Sequence, residues 1–270
     1  MKSTQTMAKM KLNESSLYFQ EFGSGDPLIL IAGLASDSQS WLPVVVKLSK
    51  YFRVIIFDNR GVGRSPADNT DITIQKMTDD CVDLMEHLNL SSAYILGHSM
   101  GGMIAMDLAL RYPNLVNKLV LEATAPKISM RNKELFNDWV AYLKSGMEKE
   151  LWFRNIFYWI FSPAFFNNEV MVNQAVSMAI DYPYPQSDKS FENQVNAVSM
   201  FDYTTEISNI KPATLIMYGQ EDLLFSKLET NDLFKGLSNS KTVIIPKAAH
   251  SIHMDNPIDF TEAVVNFFRG

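Results

Sequence analysis

Ser99 has the surroundings of a catalytic nucleophile. The stretch ILGHSMGGM, residues 95–103, places Gly97 and Gly101 two positions before and after Ser99, in the pattern G-x-S-x-G. Strand-forming residues precede this pattern and an apolar, helix-forming stretch follows it. Ser99 is therefore predicted to stand at a tight strand-to-helix turn that pushes its hydroxyl out of the sheet. The free N–H groups at the start of the helix would stabilise an oxyanion there. The alternative is an ordinary serine in a glycine-rich turn.

A serine hydroxyl needs a general base near neutral pH, and the chain has four histidines. His250 follows the last predicted strand, in the loop AAHSIHMDNP. We predict that it is the base, because this loop ends at the same sheet edge as Ser99. His253, one helical turn later, is expected to be a packing or supporting residue. His87 lies in an amphipathic helix, and His98 lies inside the turn, where its side chain should point away from the reaction.

A carboxylate must orient the histidine and stabilise its charged form. The loop YGQEDLLF follows the second-to-last predicted strand. It offers two carboxylates, Glu221 and Asp222. We predict that Asp222 has this role. Glu122, in LEATAP at the end of an earlier strand, is the second choice.

Two backbone N–H groups are expected to bind the oxyanion. Met100, directly after Ser99, should supply one from the start of its helix. The other should come from the loop AGLASDSQSW after the strand LILIA, most simply from Leu34. Loss of one such donor typically lowers kcat about 10²–10³-fold.

Alternating strands and helices must position these residues. Short apolar runs separated by segments of helical spacing favour a mostly parallel sheet with helices on both faces. The predicted strands are Leu17–Phe22, Leu28–Ala32, Arg53–Asp58, Ala93–Gly97, Lys118–Ala125, Ala213–Gly219 and Thr242–Pro246. A helix is expected near Ser226–Leu237, and the alternation is interrupted by a helical stretch. We therefore predict a core domain of residues 1–125 and 206–270, with a helical cap of residues 126–205.

The helical cap holds about half of the aromatic residues of the chain. Most of them are expected to form the core of the cap. Others should line an apolar pocket over the C-terminal edge of the sheet, where open α/β sheets bind ligands. Trp139, Phe157 and Trp159 are the candidates for this pocket, which would suit an apolar acyl group.

The chain resembles the α/β-hydrolase fold family, in its capped esterase-like branch, over nearly all of its length. Five motifs occur in the family's order: AGLASDSQSW, DNRGVGRS, GHSMGG, GQED and HSIHMDNP. The resemblance implies an α/β-hydrolase fold with a helical cap inserted after the sixth strand, and a catalytic order of Ser, Asp, His. It also implies that Asp58 and Arg60 hold loop structure. One departure is that the oxyanion loop, which usually begins His-Gly, begins with Ala32 and Gly33.

These observations predict a serine hydrolase that cleaves a carboxylic ester or thioester of a small molecule, with no metal and no cofactor. Family members that carry an aspartate at the position of Ser99, the dehalogenases and epoxide hydrolases, are set aside. Hydrolases of carbon–carbon bonds carry a tryptophan after the catalytic histidine, where this chain has Ser251. That reaction and enol-lactone hydrolysis remain alternatives. A ligand receptor that retains the triad and an acyltransferase or perhydrolase also remain alternatives.

Composition limits the partners that the chain can have. A net charge of −6 lacks the basic footprint of a nucleic-acid-binding protein. No apolar run reaches the roughly 18 residues of a membrane helix, and the first residues lack the apolar core of a signal peptide. The single cysteine, Cys81, excludes an intrachain disulfide and is expected to be a buried apolar residue. A cytoplasmic location is therefore expected, and no feature specifies an oligomeric state.

Overall fold

A sheet forms the centre of the protein. The computed structural model describes residues 5–11, 16–66 and 71–270. Its strands are β1 (Gln5–Lys11), β2 (Ser16–Phe22), β3 (Pro27–Ile31), β4 (Arg53–Phe57), β5 (Ala93–His98), β6 (Val116–Glu122), β7 (Ala213–Gly219) and β8 (Ser240–Ile245). In space the strands follow the order β1-β2-β4-β3-β5-β6-β7-β8. β2 pairs antiparallel with β1 and β4, and every pairing from β4 to β8 is parallel.

Helices cover both faces of this sheet. They are α1 (Leu42–Leu48), α2 (Ile74–His87), α3 (Met100–Arg111), α4 (Met130–Lys144), α5 (Lys149–Ile160), α6 (Pro163–Phe166), α7 (Glu169–Ile180), α8 (Asp188–Met200), α9 (Lys227–Thr230), α10 (Ile252–Asp255) and α11 (Pro257–Arg269). Alternate residues of β3 face opposite layers. Ile29 and Ile31 pack with α2 and α3, whereas Leu28 and Leu30 pack with α1 and α11. The predicted α/β class with a mostly parallel, doubly covered sheet is confirmed.

The sequence pattern does not predict the edge strand β1. This strand pairs with β2 along its whole length, from Gln5 opposite Phe22 to Lys11 opposite Ser16. Alanine, lysine and methionine have little strand preference of their own, so β1 depends on its pairing with β2. Residues 1–4, 12–15 and 67–70 of the predicted core domain lie outside the described residues.

Among the described residues, five helices, α4 to α8, lie between the neighbouring strands β6 and β7. We call residues 126–205 the helical segment. Within it α4 packs on α8, and α5 packs on α7. Its two ends meet: the N–H of Tyr203 donates to the carbonyl of Pro126 at 2.8 Å, and Lys127 forms an ion pair of 2.6 Å with Asp202. The division into a core domain and a cap at these boundaries stays a prediction.

Two predicted elements differ from the structure. The helix predicted near Ser226–Leu237 is a single α-helical turn, α9, followed by a 3₁₀ turn at Asn231–Phe234. Asparagine and aspartate compete with helical backbone hydrogen bonds and explain this break. The strand predicted to continue to Ala125 ends at Glu122, because Ala123 has a φ of 46° that an extended strand does not contain.

Of the helices in the part of the chain that the structure describes, none combines the length and apolar character needed to cross a membrane. Cys81 lies on the inner face of α2 with no exposed surface, and burial raises the pKa of its thiol to about 12. Cys81 therefore packs as a small apolar residue, as predicted.

Candidate active site

Ser99 lies at the sharp turn between β5 and α3. Its backbone has φ 53° and ψ −117°, a conformation that costs a residue with a side chain about 1–3 kcal/mol. Two glycines make the turn possible. A Cβ on Gly97 would lie 2.1 Å from the carbonyl oxygen of Gly101, and a Cβ on Gly101 would lie 2.1 Å from that of Ile31. The G-x-S-x-G spacing therefore reflects close backbone packing on both sides of Ser99.

Backbone hydrogen bonds hold Ser99 at the C-terminal edge of the sheet. Its N–H donates to the carbonyl of Glu122 at 2.9 Å, and its carbonyl accepts from the hydroxyl of Thr124 at 2.7 Å. The same carbonyl accepts from the N–H of Gly102 at 2.9 Å, where α3 begins. Met100 is therefore the first residue of α3, where the helix offers the backbone N–H no partner of its own. Its role as an oxyanion donor stays a prediction.

Asp222 and His250 come together at this edge, from the loops after β7 and β8. The Nδ1 of His250 lies 3.2 Å from Oδ2 of Asp222, and both side chains are buried. Oδ1 of Asp222 accepts from the N–H groups of Leu224 at 2.8 Å and Phe225 at 3.0 Å. A carboxylate only accepts, so Nδ1 carries the proton and Nε2 is left to accept one. The ring of Phe225 stacks on His250, which further restricts its orientation.

His98, directly before Ser99, supports the backbone of the His250 loop. Its Nε2 lies 3.1 Å from the carbonyl oxygen of His250 and must be the donor, since a carbonyl only accepts. Burial lowers the pKa of His98 well below 6.5, and the neighbouring His250 and His253 act in the same direction. His98 is therefore a neutral supporting residue. Within the described residues no hydrogen bond joins the hydroxyl of Ser99 to His250, and such contacts often tighten only when substrate binds.

Glu122, the second choice for the catalytic acid, is bound to a different histidine. Its Oε1 accepts from the Nδ1–H of His253 at 2.8 Å and from the backbone N–H of His253 at 3.1 Å. Both side chains are almost completely buried, and the ring of Trp41 lies over that of His253 with centroids 4.3 Å apart. The pair therefore supports the loop that carries His250 from inside the protein.

His98, Glu122 and His253 each offer one atom that can bind a metal ion, and these atoms lie within 4.8 Å of one another. This spacing is short enough for three ligands of one ion. Two of these side chains already share a hydrogen bond, and Nε2 of His98 is bonded to a backbone carbonyl. Nδ1 of His98 packs within 2.9 Å of the position that a Cβ on Gly33 would take. The three side chains thus fit a hydrogen-bonded support better than a ligand set. The predicted absence of a metal stays a prediction.

The loop after β3, residues 32–37, lies directly against Ser99, and we call it the oxyanion loop. A Cβ on Gly33 would lie 3.2 Å from the Cβ of Ser99, so glycine permits this approach. The N–H of Ser36 donates to the carbonyl of Gly33 at 3.3 Å and closes a turn. Leu34, the predicted second oxyanion donor, is the second residue of this turn and is half-buried.

The motif DNRGVGRS supports the oxyanion loop from the neighbouring strand. At the position of the family's usual histidine, the carbonyl of Ala32 accepts from Nδ2 of Asn59 at 2.9 Å. Oδ1 of Asp58 accepts from the hydroxyl of Ser38 at 2.6 Å. Arg60 forms a buried ion pair of 2.6 Å with Asp80 of α2. These contacts agree with the structural role that the resemblance implies for Asp58 and Arg60.

The helical segment contacts the His250 loop through the end of α5 and the start of α6. The N–H of Ser251 donates to the carbonyl of Ile160 at 2.9 Å. The N–H and hydroxyl of Ser162 donate to the carboxylate of Asp255 at 3.0 and 3.2 Å, and the N–H of Ala249 donates to the same carboxylate at 2.8 Å. The acid of the motif HSIHMDNP therefore joins the histidine loop to the helical segment, a role that the spacing alone does not reveal.

The helical segment also contacts the other two loops of the site. Nδ2 of Asn132 donates to the carbonyl of Leu224 at 2.6 Å, next to the acid. The hydroxyl of Tyr182 donates to Asp37 in the oxyanion loop, and Gln194 is bonded to the same loop. These three polar residues are not predicted from the sequence, because an isolated amide or phenol in a helical stretch carries no local signal.

The three predicted pocket residues differ in their surroundings. Trp139 is buried and its indole N–H donates to Oδ1 of Asn155 at 2.8 Å. Phe157 is buried against Phe161, with ring centroids 5.2 Å apart, and Trp159 is half-buried. Trp139 and Phe157 belong to the hydrophobic cluster that also contains Met100. Their contact with a substrate stays a prediction.

Comparison with known proteins identifies the family. A family model described as "alpha/beta hydrolase fold" matches residues 26–257, and the chain therefore belongs to the α/β-hydrolase fold family. A protein from Rhizobium rhizogenes named "Putative carbamate hydrolase RutD" is 28% identical over 259 residues, which cover 94% of this chain and 98% of that protein. The predicted family is confirmed.

Solved structures share the whole fold. The enol-lactonase from Burkholderia xenovorans superposes with a TM-score of 0.88 at 24% identity, covering 97% of this chain and 100% of that one. A thermophilic esterase from Thermogutta terrifontis has a TM-score of 0.86 at 24% identity, covering 98% of each chain. At 24% identity the similarity shows the fold alone. The reaction has to be inferred from the residues of the site.

Proposed function

We propose that this chain is a serine hydrolase that cleaves a carboxylic ester or thioester through Ser99, His250 and Asp222. The observation that carries the proposal is the pairing of Asp222 with Nδ1 of His250 beside the strained turn at Ser99. That pairing leaves Nε2 of His250 as a proton acceptor at the sheet edge where Ser99 lies. A buried acid, an oriented imidazole and a serine at a helix start together support acyl transfer.

In the first half of the proposed reaction, Oγ of Ser99 attacks the acyl carbon while Nε2 of His250 takes the hydroxyl proton. Asp222 stabilises the imidazolium that forms, and its two backbone hydrogen bonds keep the carboxylate in place. The N–H groups of Met100 and Leu34 stabilise the negative charge on the former carbonyl oxygen. The imidazolium then protonates the leaving alcohol or thiol, and an acyl-enzyme remains on Ser99.

In the second half, His250 removes a proton from a water molecule that attacks the acyl-enzyme. The tetrahedral intermediate collapses, the carboxylic acid leaves, and Ser99 recovers its proton from His250. The exposed fractions of Ser99 and His250 are only 7% and 4%, so little bulk water reaches the site. Exclusion of bulk water strengthens the electrostatic interactions on which this chemistry depends.

The acyl group is proposed to be apolar. The interior of the helical segment is rich in aromatic side chains, and Trp139 and Phe157 continue the cluster that contains Met100. A series of p-nitrophenyl esters from acetate to decanoate tests this proposal. We expect kcat/KM to rise from acetate toward longer chains. Fastest hydrolysis of acetate with no hydrolysis from butyrate upward would contradict it.

Carbamate hydrolysis is a second candidate, because the relative from Rhizobium rhizogenes carries that activity in its name. A carbamate presents the same acyl carbon to Ser99 but has a nitrogen attached to it, so its carbonyl is less electrophilic than that of an ester. Parallel assays of an ester and a carbamate with the same p-nitrophenyl leaving group separate the two candidates. The larger kcat/KM identifies the preferred acyl class.

Labelling with a fluorophosphonate, read by intact mass, tests the nucleophile directly. We expect one adduct on the wild-type chain and on Ser145→Ala, whose serine is exposed at the end of α4, and none on Ser99→Ala. Absence of the adduct from folded wild-type protein would contradict the proposal and favour a ligand receptor over an enzyme. An adduct on Ser99, together with transfer of the acyl group to an acceptor other than water, would instead favour an acyltransferase.

A further inference from the structure

Gln194, in α8, is a polar side chain with no exposed surface. Its Oε1 accepts from the backbone N–H of Ala35 at 3.3 Å and from the side-chain amide of Gln186 at 3.0 Å. Its Nε2 donates to the carbonyl of Arg60 at 3.3 Å. A buried amide is costly unless both of its ends are bonded, and Gln194 uses both.

The N–H that Gln194 binds belongs to an unusual residue of the oxyanion loop. Ala35 has a φ of 58° and is the third residue of the turn that Ser36 closes onto Gly33. Leu34, the second residue, has an ordinary negative φ, so the turn is of type II. The peptide between Leu34 and Ala35 is the central peptide of the turn. In a type II turn its N–H, which belongs to Ala35, points to the opposite side from that in a type I turn. Alanine at this position disfavours type II, since glycine is the residue that adopts a positive φ without strain.

Gln194 therefore opposes the intrinsic preference of the turn. By accepting from the N–H of Ala35, it holds the central peptide in the type II orientation. Without this bond, rotation of that peptide would relieve the strain at Ala35 and change the backbone on both sides of it. Leu34 lies on the N-terminal side of that peptide and follows Gly33, which packs on Ser99. A Cβ added to Gly33 would lie 3.2 Å from the Cβ of Ser99.

We propose that Gln194 is a positioning residue that sets the oxyanion loop from the helical segment, so that the Leu34 donor is aligned with Ser99 only while α8 is in place. The proposal rests on the proposed serine hydrolase function. It makes the docking of the helical segment a condition for oxyanion stabilisation, through one buried amide that contacts the loop and not the substrate.

The test uses Gln194→Met, which keeps the size of the side chain and removes its hydrogen bonds. We expect kcat for p-nitrophenyl butyrate to fall about 10-fold or more, toward the 10²–10³-fold seen for loss of a donor, with KM nearly unchanged. Hydrogen exchange of the peptide that contains residues 33–37 should accelerate about 10-fold. Asn196→Met, on the exposed face of the same helix, is the matched control and should leave both quantities unchanged.

A rescue variant separates positioning from mere support of the fold. Ala35→Gly removes the bias against a positive φ, so the double variant Gln194→Met with Ala35→Gly should recover most of the lost kcat. A purely structural role of Gln194 would give no recovery. Unchanged exchange of residues 33–37 in folded Gln194→Met, or no recovery in the double variant, would overturn the proposal.

The two proposals fail in different ways. If the wild-type chain hydrolyses no ester, the proposed function fails, and hydrogen exchange alone still decides whether Gln194 positions the loop. If Gln194→Met does not fold, Gln194→Asn replaces it, because the shorter amide stays neutral and its oxygen moves out of reach of the N–H of Ala35. Exchange of residues 33–37 should accelerate in that variant. Unchanged exchange there would overturn the positioning role.

Discussion

Replacement of Asp222 by asparagine tests which carboxylate orients His250. Oδ1 of Asp222 accepts two backbone N–H groups, at 2.8 and 3.0 Å. In Asp222→Asn the amide oxygen must take this position, because an NH₂ group there would face two donors. The NH₂ group is then directed at Nδ1 of His250, 3.2 Å away, and donates to it. The histidine proton moves to Nε2, and the ring can no longer accept the proton of Ser99.

The size of the effect follows from the two backbone hydrogen bonds. Flipping the amide to restore the productive tautomer leaves two N–H groups unpaired, at about 1–3 kcal/mol each, or about 2–6 kcal/mol in total. Since about 1.4 kcal/mol corresponds to a factor of ten, kcat should fall by about 30-fold to 2 × 10⁴-fold. The fold should change little, because each position of the side chain keeps a hydrogen-bond partner.

Glu122→Gln is the matched control, since Glu122 is a buried carboxylate bound to a histidine at the same sheet edge. Its amide oxygen can keep both hydrogen bonds from His253, so kcat should stay within about tenfold of the wild type. The neutral amide oxygen accepts these two hydrogen bonds more weakly than a carboxylate oxygen does, which should lower the unfolding free energy by about 1 kcal/mol or more. The two variants should thus show opposite patterns of activity and stability.

The assay measures kcat and KM on p-nitrophenyl butyrate and the unfolding free energy in urea, for both variants and the wild type. A larger loss of kcat in Glu122→Gln than in Asp222→Asn would refute the assignment of Asp222. Retention of more than about a tenth of the wild-type kcat in Asp222→Asn would refute the tautomer argument, because one unmade backbone hydrogen bond already costs about a factor of ten.

Three further changes test other parts of the structure. The unfolding free energy in urea should be about 1 kcal/mol higher for Ser99→Gly than for Ser99→Ala. Glycine relieves about 1–3 kcal/mol of backbone strain at this position, which exceeds its backbone entropy cost of about 0.5–1 kcal/mol. A more stable alanine variant would contradict this. Gly101→Ala should lower the unfolding free energy by more than about 3 kcal/mol, since its Cβ would lie 2.1 Å from a backbone oxygen; a wild-type melting temperature would show that the turn is looser. The lowered pKa of His98 favours its neutral form in the folded state, so its contribution to stability is complete above about pH 6.5 and is lost as the pH falls below it. His98→Gln should reduce the loss of unfolding free energy between pH 7 and 5, by up to about 1.4 kcal/mol per pH unit, and an unchanged slope would contradict this reasoning.

Hydrophobic periodicity predicts most of the core. The runs that become β3, β4 and β5 are short, apolar and bounded by turn residues, so burial on both faces is their only favourable solution. The boundaries are less accurate, as at Ala123, because the end of a strand depends on a single backbone angle. β1 is missed for a different reason: most of its residues have little strand preference, and its pairing with β2 supplies the stability.

The turn at Ser99 could be predicted because its requirements are local. A strained turn needs glycine where backbones approach, and both glycines lie within two residues of Ser99. The candidates for the base and the acid follow from one further rule, that the C-terminal ends of parallel strands meet at one edge of the sheet. Only residue type, spacing and strand order are needed for that much.

The pairing of carboxylates with histidines is decided by the tertiary structure. Asp222, Glu122 and three histidines lie close together here, and the sequence ranks the two acids without showing that Glu122 binds His253. Each choice depends on the depth and direction of loops that are far apart in the chain, at separations of 28 and 131 residues. A hydrogen bond requires positions accurate to a few tenths of an ångström, which residue patterns do not specify.

The role of Gln194 is a similar case. Its distance of 159 residues from Ala35 leaves no pattern that joins them, and an amide within a helix is ordinary in composition. The sequence by itself therefore determined most of the elements, the turn that carries the proposed nucleophile and the edge where the candidate site lies. Only the tertiary structure decided which carboxylate binds which histidine and which side chain of the helical segment binds the loop after β3, because those contacts depend on the whole arrangement of the chain in space.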